Sequence, residues 1–98
     1  MKTLSDFKKA CKIGTLIHGQ HHGNAICNPY DMGIRAISIV QSNSIAFATL
    51  QQDGKMVDSW ISFPKASECT IKGDTINIFC LVNGAKRLLI TYKLITKN

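Results

Sequence analysis

The stretch TINIFCLVNGAKRLLITYKLI, residues 75–95, carries the pattern that decides the fold. Ile76, Ile78, Cys80 and Val82 alternate with Phe79 and Leu81. Leu88, Ile90, Tyr92 and Leu94 oppose Leu89 and Ile95. A period of two belongs to strands, not helices. Between the two runs stands Asn83-Gly84, a pair suited to a type I′ turn because both central residues need φ > 0. The reading is a hairpin of strands at 75–82 and 86–95. Both are apolar on two faces near the C-terminus, so cover from the helix, from barrel closure or from a second subunit is expected. Cys80, inside an apolar run, reads as a small core residue.

Working backwards, the same grammar repeats. Gly73-Asp74 separates 69–72 from 75–82, Asp53-Gly54 separates 44–51 from 55–63, and Ser42-Asn43 separates 34–41 from 44–51. All but Ser42-Asn43 read as two-residue hairpins. Residues 64–67, opened by Pro64, form a connection, because proline breaks a ladder. Ile45, Phe47 and Thr49 share a face opposite Ala46, Ala48 and Leu50, and Val57, Ser59, Ile61 and Phe63 oppose Asp58 and Trp60.

Before residue 34 the grammar changes. Ser5 can cap a short helix from Asp6 to Cys11, with Leu4, Phe7 and Cys11 on one face and Gly14 as its stop. Residues 15–18 read as a short strand. Residues 19–33, GQHHGNAICNPYDMG, read as a long irregular loop. The expected architecture is therefore α+β in a single domain, residues 1–98. One short N-terminal helix packs on an antiparallel meander of about six or seven strands, curled into a half-barrel or roll.

Ninety-eight residues, 45% hydrophobic and 18% charged, describe a globular domain and exclude a disordered tail. No run of 18 apolar residues predicts a membrane span. Asp6, Lys8 and Lys9 interrupt the place where a signal peptide needs an apolar run, so a cytoplasmic protein is expected. Cys11, Cys27, Cys69 and Cys80 contain no CxxC pair, and reduced thiols are the default in that compartment.

The candidate chemistry is sparse. His18, His21, His22 and Cys27, with Cys11 before them, could wrap a zinc ion, but the spacing fits no standard finger, and no metal or cofactor is expected. An enzyme using the histidine loop would need His18 or His22 joined to a carboxylate in a pocket. There is no P-loop, GxGxxG or HExxH, so catalytic residues are not assigned. The net charge of +6 suggests a second alternative, a nucleic-acid module making sequence-independent phosphate contacts through Lys8, Lys9 and Lys12. Lys86, Arg87, Lys93 and Lys97 make the C-terminal strand basic as well. The segment 58–65, DSWISFPK, is the most distinctive surface candidate. Trp60 alternates away from Ile61 and Phe63, and lies either under the helix or exposed beside Arg35 and Lys65. Trp and Arg dominate binding hot spots, which marks Arg35, Trp60 and Lys65 as the candidate binding set.

SDFKKA at 5–10, DMGIRAISIVQSNSIAFAT at 31–49, DSWISFPKAS at 58–67 and LLITYK at 88–93 resemble small uncharacterised proteins of phages and bacterial mobile elements. Arg35, Gln41, Asn43, Trp60, Pro64 and Lys65 fall in the matching words. The resemblance implies an accessory setting and a protein that works by binding a macromolecule. The expectation is a non-enzymatic interaction protein, its partner more a protein than a nucleic acid, with a homodimer as a further option.

Overall fold

A computed structural model describes residues 3–95. Its elements run α1 (Leu4–Ala10), β1 (Leu16–His21), β2 (Tyr30–Val40), β3 (Ser44–Leu50), β4 (Met56–Ser62), a single 3-10 turn (Ala66–Glu68), β5 (Cys69–Lys72), β6 (Thr75–Val82) and β7 (Ala85–Ile95). This is the expected α+β class, one short helix on an antiparallel sheet. The strand order is β4-β3-β2-β1-β7-β6-β5. The first strand lies at the centre, paired with β2 on one side and β7 on the other. Two meanders, β1 to β4 and β5 to β7, therefore share one sheet, and the chain crosses from one edge to the other between β4 and β5.

That crossing requires the sheet to curl. Laid flat, seven strands would hold β4 and β5 about 29 Å apart at about 4.8 Å per step. The link from Ser62 to Cys69 reaches about 24 Å when fully extended. The edges must approach one another, and α1 sits between them. Phe7 meets Phe63, which follows β4, edge-on at 6.4 Å, and α1 also contacts β5. Phe7, Ile17, Ile37, Ile45, Phe47, Phe63, Ile76, Tyr92 and Leu94 form the core on this inner face.

Three bulges supply the curl, since an extra residue bends its strand and increases twist. They lie at Gly19/Gln20, Ile37/Ile39 and Ile78/Phe79. The third lies in β7, where Leu89 is the extra residue, and it corrects the expected faces of that strand. Beyond it, Phe79 opposes Leu88 and Cys80 opposes Arg87. No residue is added to β6, so Ile76, Ile78, Cys80 and Val82 keep one side and Phe79 and Leu81 the other, while Leu88 leaves the side of Ile90, Tyr92 and Leu94. Cys80 is only half-buried, and Cys11 is the cysteine in the core at 3% exposure. Leu81 stays 72% exposed where β6 and β7 run past β1.

The N-terminal half departs most from expectation. Thr3, not Ser5, caps α1, in a capping box: Asp6 N–H donates to Thr3 Oγ1 at 3.1 Å and Thr3 N–H to Asp6 Oδ2 at 3.2 Å. The region 19–33 is not one loop, because β1 runs on to His21 and β2 starts at Tyr30. Two of the hairpin turns are as expected. Asn83 and Gly84 both have positive φ, at 52° and 80°, as type I′ demands, and Gly73 at 57° leads a two-residue turn of the II′ kind. Asp53-Gly54 is different. Gln51 N–H donates to Lys55 O and Gly54 N–H to Gln51 O, which makes a three-residue loop closed by a left-handed glycine.

Candidate functional site

The face of the sheet away from α1 is uncovered. On it Trp60 is 48% exposed, in the edge strand β4. Its cross-strand partner is Ala46; the next rung on this face is Ala48 opposite Asp58, and the one after it is Leu50 opposite Met56, 68% and 60% exposed. The result is an apolar ribbon on β3 and β4 beside a strand edge that no other described strand pairs with. The ribbon is tied down from β2: Ser38, the bulge residue, donates to Asp58 Oδ1 at 2.8 Å across the width of β3.

The structure does not bring the three expected binding residues together. Arg35 is directly opposite Ile17, a core residue, so it belongs to the inner face. Trp60 belongs to the outer one. Lys65 lies in the link after β4, exposed, its N–H donating to Glu68 Oε1 at 3.1 Å. Trp60 is exposed, but not beside Arg35. The bulge at Ile37/Ile39 and the extra strand between them decide this, and neither is visible as spacing in the sequence.

The basic helix face is also partly spent. Lys8 Nζ donates to Asn43 Oδ1 at 2.8 Å and lies 5.5 Å from the Phe63 ring centroid, a cation–π contact that fastens α1 to the β2–β3 turn. Lys9 and Lys12 are exposed. Lys86 Nζ donates to Ser67 O at 3.2 Å. Lys97 lies outside the described residues. A different basic pair emerges on the open face, where Thr75 opposes both Lys72 and Lys93.

The histidines separate. His18 Nε2 donates to Asp31 Oδ1 at 2.7 Å, and Gly33 N–H donates to the same oxygen at 2.7 Å. The Gly33 amide first, and His18 second, hold the Asp31 carboxyl below its ordinary value. His21 stacks on Tyr30 at 5.1 Å. His22 Nε2 meets Thr91 Oγ1 at 2.7 Å, and Thr91 donates to Asn77 Oδ1 at 2.8 Å. Thr91 has one proton, already given to Asn77, so His22 is the donor to Thr91 and not its base. His18 does have the carboxylate partner that the enzyme reading asks for, in a shallow depression with Asp74 and Lys93. Among the described residues no three His, Cys, Asp or Glu side chains converge as a metal group would need.

On the inner face lies an arrangement that sequence reading missed. Ile17, Gly19, Met32, Gly33, Arg35, Phe47 and Tyr92 line a cavity of about 10 Å³, room for one water-sized group. Gly19 opposes Tyr92, and the ring lies against the glycine backbone, where a Cβ would come within 3.0 Å of Tyr92 Cε1. Tyr92 is 3% exposed, and its hydroxyl is buried without a partner among the described residues. Burial pushes its pKa up to about 12, Tyr30 adds to the rise, and Arg35 opposes it. The sequence signal was a Tyr on the apolar side of a strand with a Gly on the strand beside it, legible only once β1 and β7 are known to pair.

No protein-family model, curated protein or solved structure matches the chain.

Proposed function

We propose that the chain is a non-enzymatic interaction protein that binds a protein partner through the outer face of β3 and β4, centred on Trp60. The observation that carries this reading is a half-exposed tryptophan, with exposed Met56 and Leu50 two same-face rungs away beyond Asp58, beside a strand edge unpaired among the described residues. An indole in such a place offers a large apolar anchor, and the edge offers backbone donors and acceptors to an extended segment of a partner. The lysines support a protein partner over a nucleic acid, since Lys8 is engaged by Asn43 while Lys9 and Lys12 stand on the helix and not on this face. The setting we infer is an accessory protein of a phage or bacterial mobile element, supported by the four resembling stretches. Four free thiols support a cytoplasmic, reducing compartment. No described helix is long and apolar enough to cross a membrane.

Trp60 is the chain's one tryptophan, so its emission reports directly on the surface. A pull-down from nuclease-treated bacterial lysate is expected to retain a protein that Trp60→Ala loses. Titration of that protein should shift Trp60 emission to the blue, and Trp60→Ala should weaken binding about thirtyfold, as a hot-spot residue does. Capture that is indifferent to Trp60→Ala would remove the reading. Capture that disappears with nuclease would favour the second reading, a nucleic-acid module. That reading has its own support in Lys72 and Lys93, which flank Thr75 on the open face.

A further inference from the structure

Two hydrogen-bond donors line the inner cavity and neither has an acceptor among the described residues. Tyr92 Oη is buried and unpartnered. The half-buried Arg35 guanidinium lines the same cavity, makes no hydrogen bond or ion pair with the described residues, and is close enough to act on the Tyr92 hydroxyl. Buried polar groups in folded proteins are paired, and an exception calls for an occupant. A water would satisfy the phenol but not the cation. The space of about 10 Å³ admits a single oxygen. A planar carboxylate meets both demands: one oxygen enters, and the other stays on the guanidinium fork outside. Gly19 lets the Tyr92 ring lie at this wall, since a Cβ there would stand 3.0 Å from Tyr92 Cε1.

We propose that the cavity between β1, β2 and β7 is a carboxylate site, in which Arg35 and the Tyr92 hydroxyl both donate to the bound group. It lies on the opposite face of the sheet from Trp60 and does not depend on the partner reading. The carboxylate can belong to a small free acid or to the end of a peptide, and the two are told apart by probe.

The test is NMR titration of the arginine side-chain Nε–H signals, which belong to Arg35 and Arg87 alone. Acetate and N-acetyl-dialanine are the probes, with phosphate and chloride as controls at matched ionic strength. A saturable shift at Arg35 and none at Arg87 is expected with a carboxylate probe. A peptide-end site should bind N-acetyl-dialanine at least tenfold more tightly than acetate, and a small-acid site the reverse. Tyr92→Phe, which keeps the ring and the packing, should weaken the preferred probe about tenfold. Arg35→Gln should abolish its stabilising effect in thermal melts, while Trp60→Ala leaves both readouts unchanged. The proposal is overturned if Arg35 answers chloride or phosphate as it answers the carboxylates. It is equally overturned if no titration saturates, or if Tyr92→Phe, shown folded by circular dichroism, binds as the parent does.

Discussion

At the scale of the residue, Gly19 shows how little separates a strand position from a site. Its backbone lies under the Tyr92 ring, and the nearest atoms to a Cβ placed there would be Tyr92 Cε1 at 3.0 Å and Met32 Sδ at 3.1 Å. Met32 can turn aside, but Tyr92 is held by Phe47, centroid to centroid at 5.8 Å, and by the core. Gly19→Ala is therefore expected to cost about 1–3 kcal/mol, the range of overpacking in a filled interior. Chemical denaturation measures this, and a loss below about half a kcal/mol would show that the ring is free to move. The same closeness explains why residues 19–33 read as a loop. Glycine and asparagine at 19, 23, 24, 28 and 33 are turn residues by statistics. Here Gly19 packs a ring and Gly33, at φ 80°, makes a bulge.

At the scale of the element, α1 is the test case, because seven residues cannot hold a helix unaided. Three ties hold it: the Thr3–Asp6 capping box, the burial of Phe7, and Lys8 reaching Asn43 and the Phe63 ring. The last is in effect a bracket across the molecule, because Asn43 O also accepts from Phe63 N–H at 2.8 Å. Thr3→Ala and Lys8→Ala are each expected to lower stability by about 1 kcal/mol. Lys9→Ala, on the exposed side, should change it by less than half of that. Urea titrations of the three variants check the order. Equal effects of Lys8→Ala and Lys9→Ala would return Lys8 to the solvent face that the sequence suggested.

At the scale of the whole molecule, the open sheet ends in β4 and β5, and the β6–β7 hairpin runs past β1 with Leu81 and Val82 exposed at 72% and 41%. This hairpin end is the surface on which a homodimer would form. Sedimentation velocity is expected to show dimer at high micromolar concentration, and Leu81→Lys is expected to abolish it. A monomer throughout that range removes the dimer and leaves the hairpin end as ordinary exposed apolar surface. By itself the sequence determined the elements from residue 34 onward, and the reason is local. A period of two, punctuated by Asn-Gly, Gly-Asp and Asp-Gly, is set by backbone sterics within a few residues, so strand and turn could be read in place. It also determined that Phe47 belongs to the core and that Ile76 with Ile78, and Tyr92 with Leu94, share a face, because alternation survives wherever no extra residue intervenes. Three things only the tertiary structure decided. One is the place of β1 at the centre, which rests on pairing with β7 some seventy residues away. Another is the set of bulges, each a single residue with no periodic mark, which reverse the face of everything beyond them and part Arg35 from Trp60. The last is the convergence of Arg35 and the Tyr92 hydroxyl on one cavity. No spacing encodes it, because two strands that never adjoin in the chain must first be laid on either side of a third.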